Sequence, residues 1–167
     1  MSSDPTIETH RWGRLDPADI APLSGRELLE RIVDGRLPAP TMGRTLNFRL
    51  VEVGDGFAAF EGETGEDLLN PHGTVHGGWA LSLIDSAAGC AAQSVLPAGS
   101  GYTTLETKGN FSRPIRADTG RVRCESKVIS SGRTIISCEA WVRDMTGRVL
   151  AHGTSTLLVL TADKTVS

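Results

Sequence analysis

The chain has 167 residues, of which 39% are hydrophobic, enough to bury the core of one globular domain. A net charge of −3 and dispersed Lys and Arg residues argue against nucleic acid as a partner. Cys90, Cys124 and Cys138 form no C-x-x-C pair, and residues 1–11 contain no apolar export signal, so we expect a cytoplasmic protein with reduced thiols.

The first helix is predicted to begin after Ser24. Glu27 gives this N-cap acidic support, and the apolar residues that follow recur at helical spacing: Leu28, Leu29, Ile32 and Val33. Asp34-Gly35 ends the helix, and the prolines of residues 37–40 impose an extended connector. Residues before Ser24 show no clear periodicity. We therefore expect an N-terminal arm over residues 1–24.

Two strands and a long helix are predicted next. Polar and apolar residues alternate over 46–53 and 56–63, on either side of a glycine-containing turn, which predicts a β-hairpin. Residues 77–96 are apolar on nearly every side, which predicts a buried helix. The helix contains Asp85, Gln93 and three serines and has no flanking Lys or Arg, so we expect no membrane span.

Four further strands complete the predicted fold. They cover residues 102–111, 121–129, 134–143 and 149–160, and three glycine-containing turns, over 116–120, 130–133 and 144–148, join them. Short links between consecutive strands predict antiparallel pairing. The fold class is therefore α+β, with a curved antiparallel sheet of about six strands wrapped around one long central helix. This single domain is expected over residues 25–162, with a C-terminal tail over 163–167.

Asp85 is the one ionisable side chain in the long helix. A buried carboxylate without a partner is costly, so an acid retained here favours a functional role. A structural acid, paired with a serine or a backbone amide, is the alternative.

The segment before this helix has a recognisable motif. The string Asn70-Pro71-His72-Gly73-Thr74-Val75-His76-Gly77-Gly78, with Asp85 nine residues after His76, resembles the hotdog-fold acyl-CoA thioesterases of the PaaI type. The resemblance extends from about residue 23 to residue 160, through the following segments: 35–40, 102–106, 110–115, 132–134 and 144–152. It implies a hotdog fold and the hydrolysis of an acyl-CoA to a free acid and CoA.

Helix geometry separates Asp85 from the start of its own helix. Nine residues at ~100° and ~1.5 Å each place Asp85 roughly 13 Å from His76 and on nearly the opposite face. A second subunit with an antiparallel helix would solve this problem. The resemblance implies the same arrangement, a site shared between the subunits of a dimer, with a homotetramer expected from pairing of dimers.

The resemblance assigns roles to the motif residues. Asp85 acts as general base toward water or as nucleophile through a mixed anhydride, and Asn70 helps to hold the thioester or the water. Both geometry and resemblance assign the oxyanion to the backbone N–H of Gly77, alone or with that of Gly78. Either Thr103 or Thr104 matches a hydroxyl that orients water. Asn70 and His76 also fit capping roles, and for His76 the supporting role is preferred.

The CoA phosphates need an anion site. The turn Ser131-Gly132-Arg133-Thr134 exposes backbone amides and one positive charge, and Arg113 and Arg116, on either side of Pro114, are candidates to assist it. For each of these residues, an ordinary turn with a solvated arginine is the alternative. His72 and His76 have the i, i+4 spacing of zinc ligands, but Pro71 and Gly73 disfavour a helix there. We expect neither a metal nor a separate cofactor, since CoA is part of the substrate.

The leading hypothesis is a thioesterase that hydrolyses an aromatic or medium-chain acyl-CoA. One alternative is a non-catalytic acyl-CoA-binding hotdog module, as in hotdog regulators. The other is a hotdog dehydratase or hydratase, which would pair the helix acid with a catalytic histidine in a local motif that this chain lacks.

Overall fold

The structure is a computed structural model that describes residues 11–161. Its centre is a six-stranded antiparallel sheet in the order β1-β2-β4-β5-β6-β3, which confirms the predicted α+β fold class. The strands are β1 Phe48–Gly54, β2 Phe57–Glu63, β3 Gly101–Phe111, β4 Arg121–Ser131, β5 Ile135–Asp144 and β6 Val149–Leu160.

The long helix, Gly77–Ser94, packs against the inner face of this sheet and contacts all six strands. Leu83 and Ile84 are fully buried, as are the strand residues Val122, Ile136 and Leu157 in the same apolar core. Burying these aliphatic side chains contributes roughly 1.5–3 kcal/mol each. The helix and sheet together therefore form one continuous core, as the apolar pattern predicted.

Three shorter helices precede the sheet: α1 Pro17–Ile20, α2 Gly25–Val33 and α3 Thr41–Thr45, so that the long helix is α4. The predicted N-cap is confirmed, because Ser24 and Glu27 form a reciprocal capping box. The connector after α2 lies beside the N-terminal arm, where Trp12 pairs with Ala39 in an isolated parallel bridge.

The residue pattern predicts neither α1 nor α3. Each is about one turn long, too short for an apolar stripe to appear. The N-cap Asp16, followed by proline at the first helical position, was the available signal for α1.

The predicted domain limits at residues 24, 162 and 163 stay predictions. The expected tail over 163–167 and the first part of the expected arm lie outside the described residues. Within the part that the structure describes, no helix is long and apolar enough to cross a membrane.

One side of the molecule has uncovered polar backbone beside half-buried side chains. Strand β3 is at the end of the strand order and pairs only with β6 among the described strands. Next to it runs a half-exposed stripe of α4 that contains Leu81, Ser82, Asp85 and Ser86. We call β3 and this stripe the open face. A strand edge of this kind is a template for pairing with another chain.

Candidate active site

Asp85 lies on the open face with its carboxylate fixed by two hydroxyls of β3. Its Oδ1 accepts hydrogen bonds from Thr104 Oγ1 at 3.0 Å and from Thr107 Oγ1 at 2.8 Å. Its Oδ2 accepts none from any residue between 11 and 161. The side chain is half-buried rather than enclosed. One carboxylate oxygen is therefore oriented by the protein, and the other remains available to accept a proton or to form a bond.

A β-bulge brings the two threonines to the same carboxylate. Thr104 pairs with Leu157 and Glu106 with the adjacent Thr156, so Leu105 is the extra residue. In a regular strand, Thr104 would share a face with residue 106, not with Thr107. The sequence predicted Thr103 or Thr104 as the hydroxyl at the site and gave no indication of Thr107. The structure brings Thr104 to Asp85, whereas Thr103 is exposed.

Ser155 supports Thr107 from the neighbouring strand. The two hydroxyl oxygens are 2.9 Å apart, and Ser155 Oγ is 3.0 Å from the carbonyl oxygen of Glu106, so the single Ser155 proton is shared between these two acceptors. Because Thr107 donates its only proton to Asp85, it can act only as acceptor toward Ser155. Ser155 is 1% exposed, so this contact is shielded from water. The hydroxyl chain fixes the rotamer that Thr107 presents to Asp85.

A second group of predicted residues lies at the start of α4. His76 is the N-cap residue, and its Nδ1 accepts a hydrogen bond from the backbone N–H of Gly78 at 2.9 Å. The N–H of Gly77 donates to no acceptor among the described residues. His76 thus has the supporting role that the sequence analysis preferred. Of the two predicted oxyanion donors, the Gly77 amide is available and the Gly78 amide is engaged.

Asn70 organises the loop that leads to this helix. Its Oδ1 accepts from the backbone N–H groups of His72 at 2.9 Å and Thr74 at 3.3 Å, and its Nδ2 donates to Thr74 Oγ1 at 2.8 Å. These bonds are typical of an Asx turn. The amide retains a second N–H on Nδ2, since only one donor bond is made. Asn70 therefore combines the capping role with a donor that a ligand could use.

The loop and the helix start border a cleft of about 310 Å³, in which Asn70, His76 and Gly77 lie with Phe111 and Arg113. Phe111 is 55% exposed, and a Cβ added at Gly77 would be 3.2 Å from its Cζ, so glycine keeps this end of the cleft open. Arg113 Nη1 donates to the carbonyl of Val149 at 2.7 Å, which fixes its guanidinium at the cleft wall.

The other residues predicted to bind CoA lie at the opposite end of the chain's sheet. Ser131-Gly132-Arg133-Thr134 is an exposed turn between β4 and β5, and Thr134 accepts a backbone bond from Val159. The backbone N–H of Arg113 instead donates to the carbonyl of Leu150, near the other end of β6. Nine residues of β6 separate these two contacts, about 30 Å of extended strand. One chain therefore does not bring Arg113 and the turn together.

Asp85 and Gly77 are also far apart within one chain. Asp85 follows Gly77 by eight residues in one continuous helix, a rise of ~12 Å. The chain thus contains an oriented carboxylate and an available backbone amide that do not meet within one subunit. No three His, Cys, Asp or Glu side chains among residues 11–161 are grouped as a metal site, and the expected absence of a metal stays a prediction.

Comparison with known proteins identifies the family of this chain. The family model of the thioesterase superfamily matches residues 72–151. A curated protein of Saccharolobus solfataricus, named as a candidate esterase, is 30% identical over 115 residues, which cover 69% of this chain and 80% of that protein. This chain belongs to the thioesterase superfamily. The matched residues include the loop from His72, all of α4 and the strand β3.

Solved structures confirm the PaaI-type resemblance within this superfamily. A conserved protein from Pseudomonas aeruginosa has 34% sequence identity and a TM-score of 0.67, covering 71% of this chain and 93% of its own. A mutant of the phenylacetic acid degradation protein PaaI from Thermus thermophilus has 27% identity and a TM-score of 0.64, covering 71% and 97%. The hotdog fold of this superfamily member is therefore confirmed.

Proposed function

We propose that this protein is an acyl-CoA thioesterase that hydrolyses an aromatic or medium-chain acyl-CoA to the free acid and CoA. The observation that supports the proposal most is the hydrogen bonding of the Asp85 carboxylate and of the Gly77 backbone N–H. Asp85 has one oxygen held by Thr104 and Thr107, whereas its other oxygen and the Gly77 N–H at the helix start have no hydrogen-bond partner among residues 11–161. Thioester hydrolysis needs one group to deliver the attacking oxygen and another to stabilise the oxyanion.

Asp85 Oδ2 can begin the reaction in two ways. As a general base, it takes a proton from water while the water oxygen bonds to the thioester carbonyl carbon. As a nucleophile, Oδ2 itself bonds to that carbon, and water later hydrolyses the mixed anhydride. In both routes the carbonyl oxygen becomes negative beside the Gly77 amide. The carbon–sulfur bond then breaks, and CoA leaves as a thiolate that takes up a proton.

The proposal requires two copies of the chain. The open face offers a row of β3 backbone groups and the half-exposed α4 stripe that contains Asp85, a surface suited to a second copy. Antiparallel α4 helices would bring Asp85 of one protomer toward Gly77 of its partner. We propose a homodimer as the catalytic unit, and a homotetramer formed from two dimers as the expected assembly.

The same pairing supports the proposed CoA contacts. The Ser131–Thr134 turn follows the end of β4, whose Val128 bonds to Gly56, and Gly56 in turn bonds to Ser94 at the C-terminus of α4. In an antiparallel pair, this end of one protomer approaches the Arg113 end of its partner. Arg113 and Arg133 could then bind one CoA together, although they are far apart in a single chain.

The test is hydrolysis of an acyl-CoA panel by the wild type, by Asp85→Asn and by a matched control, Asp55→Asn, which makes the same change in an exposed turn. We expect Asp85→Asn to lose about 10²–10⁴-fold in kcat and Asp55→Asn to retain activity. Released CoA is measured with a thiol reagent. Burial raises the pKa of Cys90 and Cys138 to about 12 and raises that of Cys124 further, so the protein's own thiols interfere little.

Three other results would each favour a different hypothesis. Full activity of a folded Asp85→Asn protein would contradict the proposed role of Asp85. A wild type that binds acyl-CoA but releases no CoA from any member of the panel would favour the acyl-CoA-binding module. Loss of enoyl-CoA absorbance without CoA release would indicate the hydratase alternative.

A further inference from the structure

A cavity of about 400 Å³ lies between α4 and the segment that precedes the sheet. Residues of this segment form roughly half of its wall, among them Leu15, Ile20, Leu28, Ile32 and Met42. The opposite wall comes from α4 and from the strands β1, β2 and β3. This volume and the apolar lining are typical of a site for a small organic ligand.

The cavity begins beside Asp85 and extends along the helix past Cys90 to Gln93. Its lining includes Ser86, which is the residue after Asp85, and Tyr102 of β3. Tyr102 packs over Gly89, where a Cβ would overlap its hydroxyl, whereas Thr104 bonds to Asp85 one helical turn earlier. The two residues from Thr104 to Tyr102 along β3 and the four residues from Asp85 to Gly89 along α4 both span ~6 Å, so the strand and the helix stay in step. A group bonded to a carbonyl carbon at Asp85 could therefore extend directly into the cavity.

Most polar groups in the lining are neutral, and its one charged residue is Arg49. Gln93 is already engaged, since its Nε2 donates to the carbonyl of Ser100 at 3.3 Å. Burial raises the pKa of Tyr102 well above its usual range, so its hydroxyl remains neutral. The same burial raises the pKa of the Cys90 thiol to about 12. Gln93, Tyr102 and Cys90 offer no counter-charge, so the part of the cavity that they line is suited to an apolar acyl group rather than to a charged one.

We propose that this cavity binds the acyl chain of the substrate, and that the segment 12–43 is its outer wall and sets the longest acyl group that the enzyme accepts. This inference rests on the proposed thioesterase function and specifies its substrate. The segment lies outside residues 72–151, which the superfamily model matches. The length limit is therefore a property of this chain's own N-terminal part rather than of the matched region.

The cavity volume distinguishes the two acyl classes left open by the proposed function. A methylene group occupies about as much space as a water molecule, ~30 Å³, so about a dozen carbons would fill the cavity. A phenylacetyl group, with about eight carbons, would leave a large part of it empty, which a close-packed interior disfavours. The structure therefore favours an unbranched medium-chain acyl group over an aromatic one.

The test changes the size of one wall residue in both directions. Leu28 is half-buried on α2 and lines the cavity, whereas Val33 is half-buried on the same helix outside it. The variants are Leu28→Trp, Leu28→Ala and the control Val33→Trp. The measurement is kcat/KM for butanoyl-, octanoyl-, dodecanoyl-, hexadecanoyl- and phenylacetyl-CoA.

We expect dodecanoyl-CoA to be the best substrate of the wild type. Leu28→Trp should lower the dodecanoyl-to-butanoyl ratio of kcat/KM at least about tenfold, since the cavity loses the space for several methylenes. Leu28→Ala should raise the hexadecanoyl-to-dodecanoyl ratio. Val33→Trp should leave both ratios unchanged. Opposite shifts from one position would not arise from a general loss of stability.

Other results would overturn the inference. Active variants with unchanged chain-length ratios would exclude the cavity as the acyl site and leave the thioesterase proposal intact. Absence of hydrolysis of every acyl-CoA by the wild type would instead contradict the thioesterase proposal. Calorimetric titration with dodecanoic acid then tests the cavity separately, because binding by the wild type and not by Leu28→Trp requires no catalysis. If Leu28→Trp does not fold, Ile20→Trp on α1 fills the cavity from another side.

Discussion

Thr107 Oγ1 donates a 2.8 Å hydrogen bond to Asp85 Oδ1 from a strand position that regular alternation would assign to the other face of β3. The bulge at Leu105 makes this contact possible. Two hydroxyls on one carboxylate oxygen orient the second oxygen, which accepts no hydrogen bond from the part of the chain that the structure describes. The bulge thus links a local irregularity of the strand to the chemistry of the helix residue opposite.

Removal of the Thr107 hydroxyl should impair catalysis without unfolding the protein. Thr107→Val keeps the β-branched shape but loses a hydrogen bond to a charged group, worth roughly 1.5–3 kcal/mol. If that energy orients Oδ2 in the transition state, kcat should fall by about 10–100-fold. Thr103→Val removes an exposed hydroxyl from the same strand and should leave kcat unchanged. Equal effects in the two variants would contradict the proposed role of Thr107.

The oxyanion role of Gly77 can be tested by deleting one backbone donor. Gly77→Pro removes the N–H at the first helical position, where proline is well tolerated. His76 is already extended, with φ −61° and ψ 133°, as a residue before proline must be. We expect kcat to fall by about 10²–10³-fold. Gly77→Ala adds a Cβ near Phe111 but keeps the N–H, so it should retain most of the activity. Similar losses in both variants would indicate a steric effect instead.

These contacts show where the sequence was informative and where it was not. Alternation and apolar spacing predicted all six strands and α4, because burial of one face imposes a period on the residue pattern. The motif identified Asp85, Asn70 and Gly77. Thr107 was missed because a bulge leaves no mark in residue spacing.

The engagement of the Gly78 amide was also beyond the sequence. It depends on the rotamer of His76, which only the local fold determines. The cavity wall depends likewise on how α1 and α2 pack against α4, a long-range arrangement of residues without a shared motif.

His76 should contribute to stability through its capping bond. His76→Ala removes the acceptor of the Gly78 N–H, a loss of about 1 kcal/mol that should lower Tm by roughly 2–4 °C. His76→Asn supplies a side-chain oxygen at the N-cap and should restore most of this loss. Thermal unfolding at one fixed protein concentration is the measurement. A His76→Ala protein as stable as the wild type would contradict the capping role.

Gly89 is required by the ring of Tyr102. An alanine Cβ would overlap the Tyr102 hydroxyl, so the ring would have to move, at a cost of about 1–3 kcal/mol. Alanine also favours a helix over glycine by up to ~1 kcal/mol. Gly89→Ala should therefore destabilise the wild type, and should be neutral or stabilising in a Tyr102→Leu background. Chemical denaturation of the four proteins in this cycle measures the coupling. Additive effects would show that the two residues do not constrain each other.

Mixing two inactive variants tests whether two subunits share the site. If Asp85 of one protomer acts with Gly77 of its partner, a dimer of Asp85→Asn with Gly77→Pro has one site with both changes and one intact site. Random pairing after co-expression makes about half of the dimers mixed, so roughly a quarter of the wild-type activity should return. Each variant expressed alone should stay inactive. If both residues served a site within one chain, every chain in the mixture would have a defect and no activity would return.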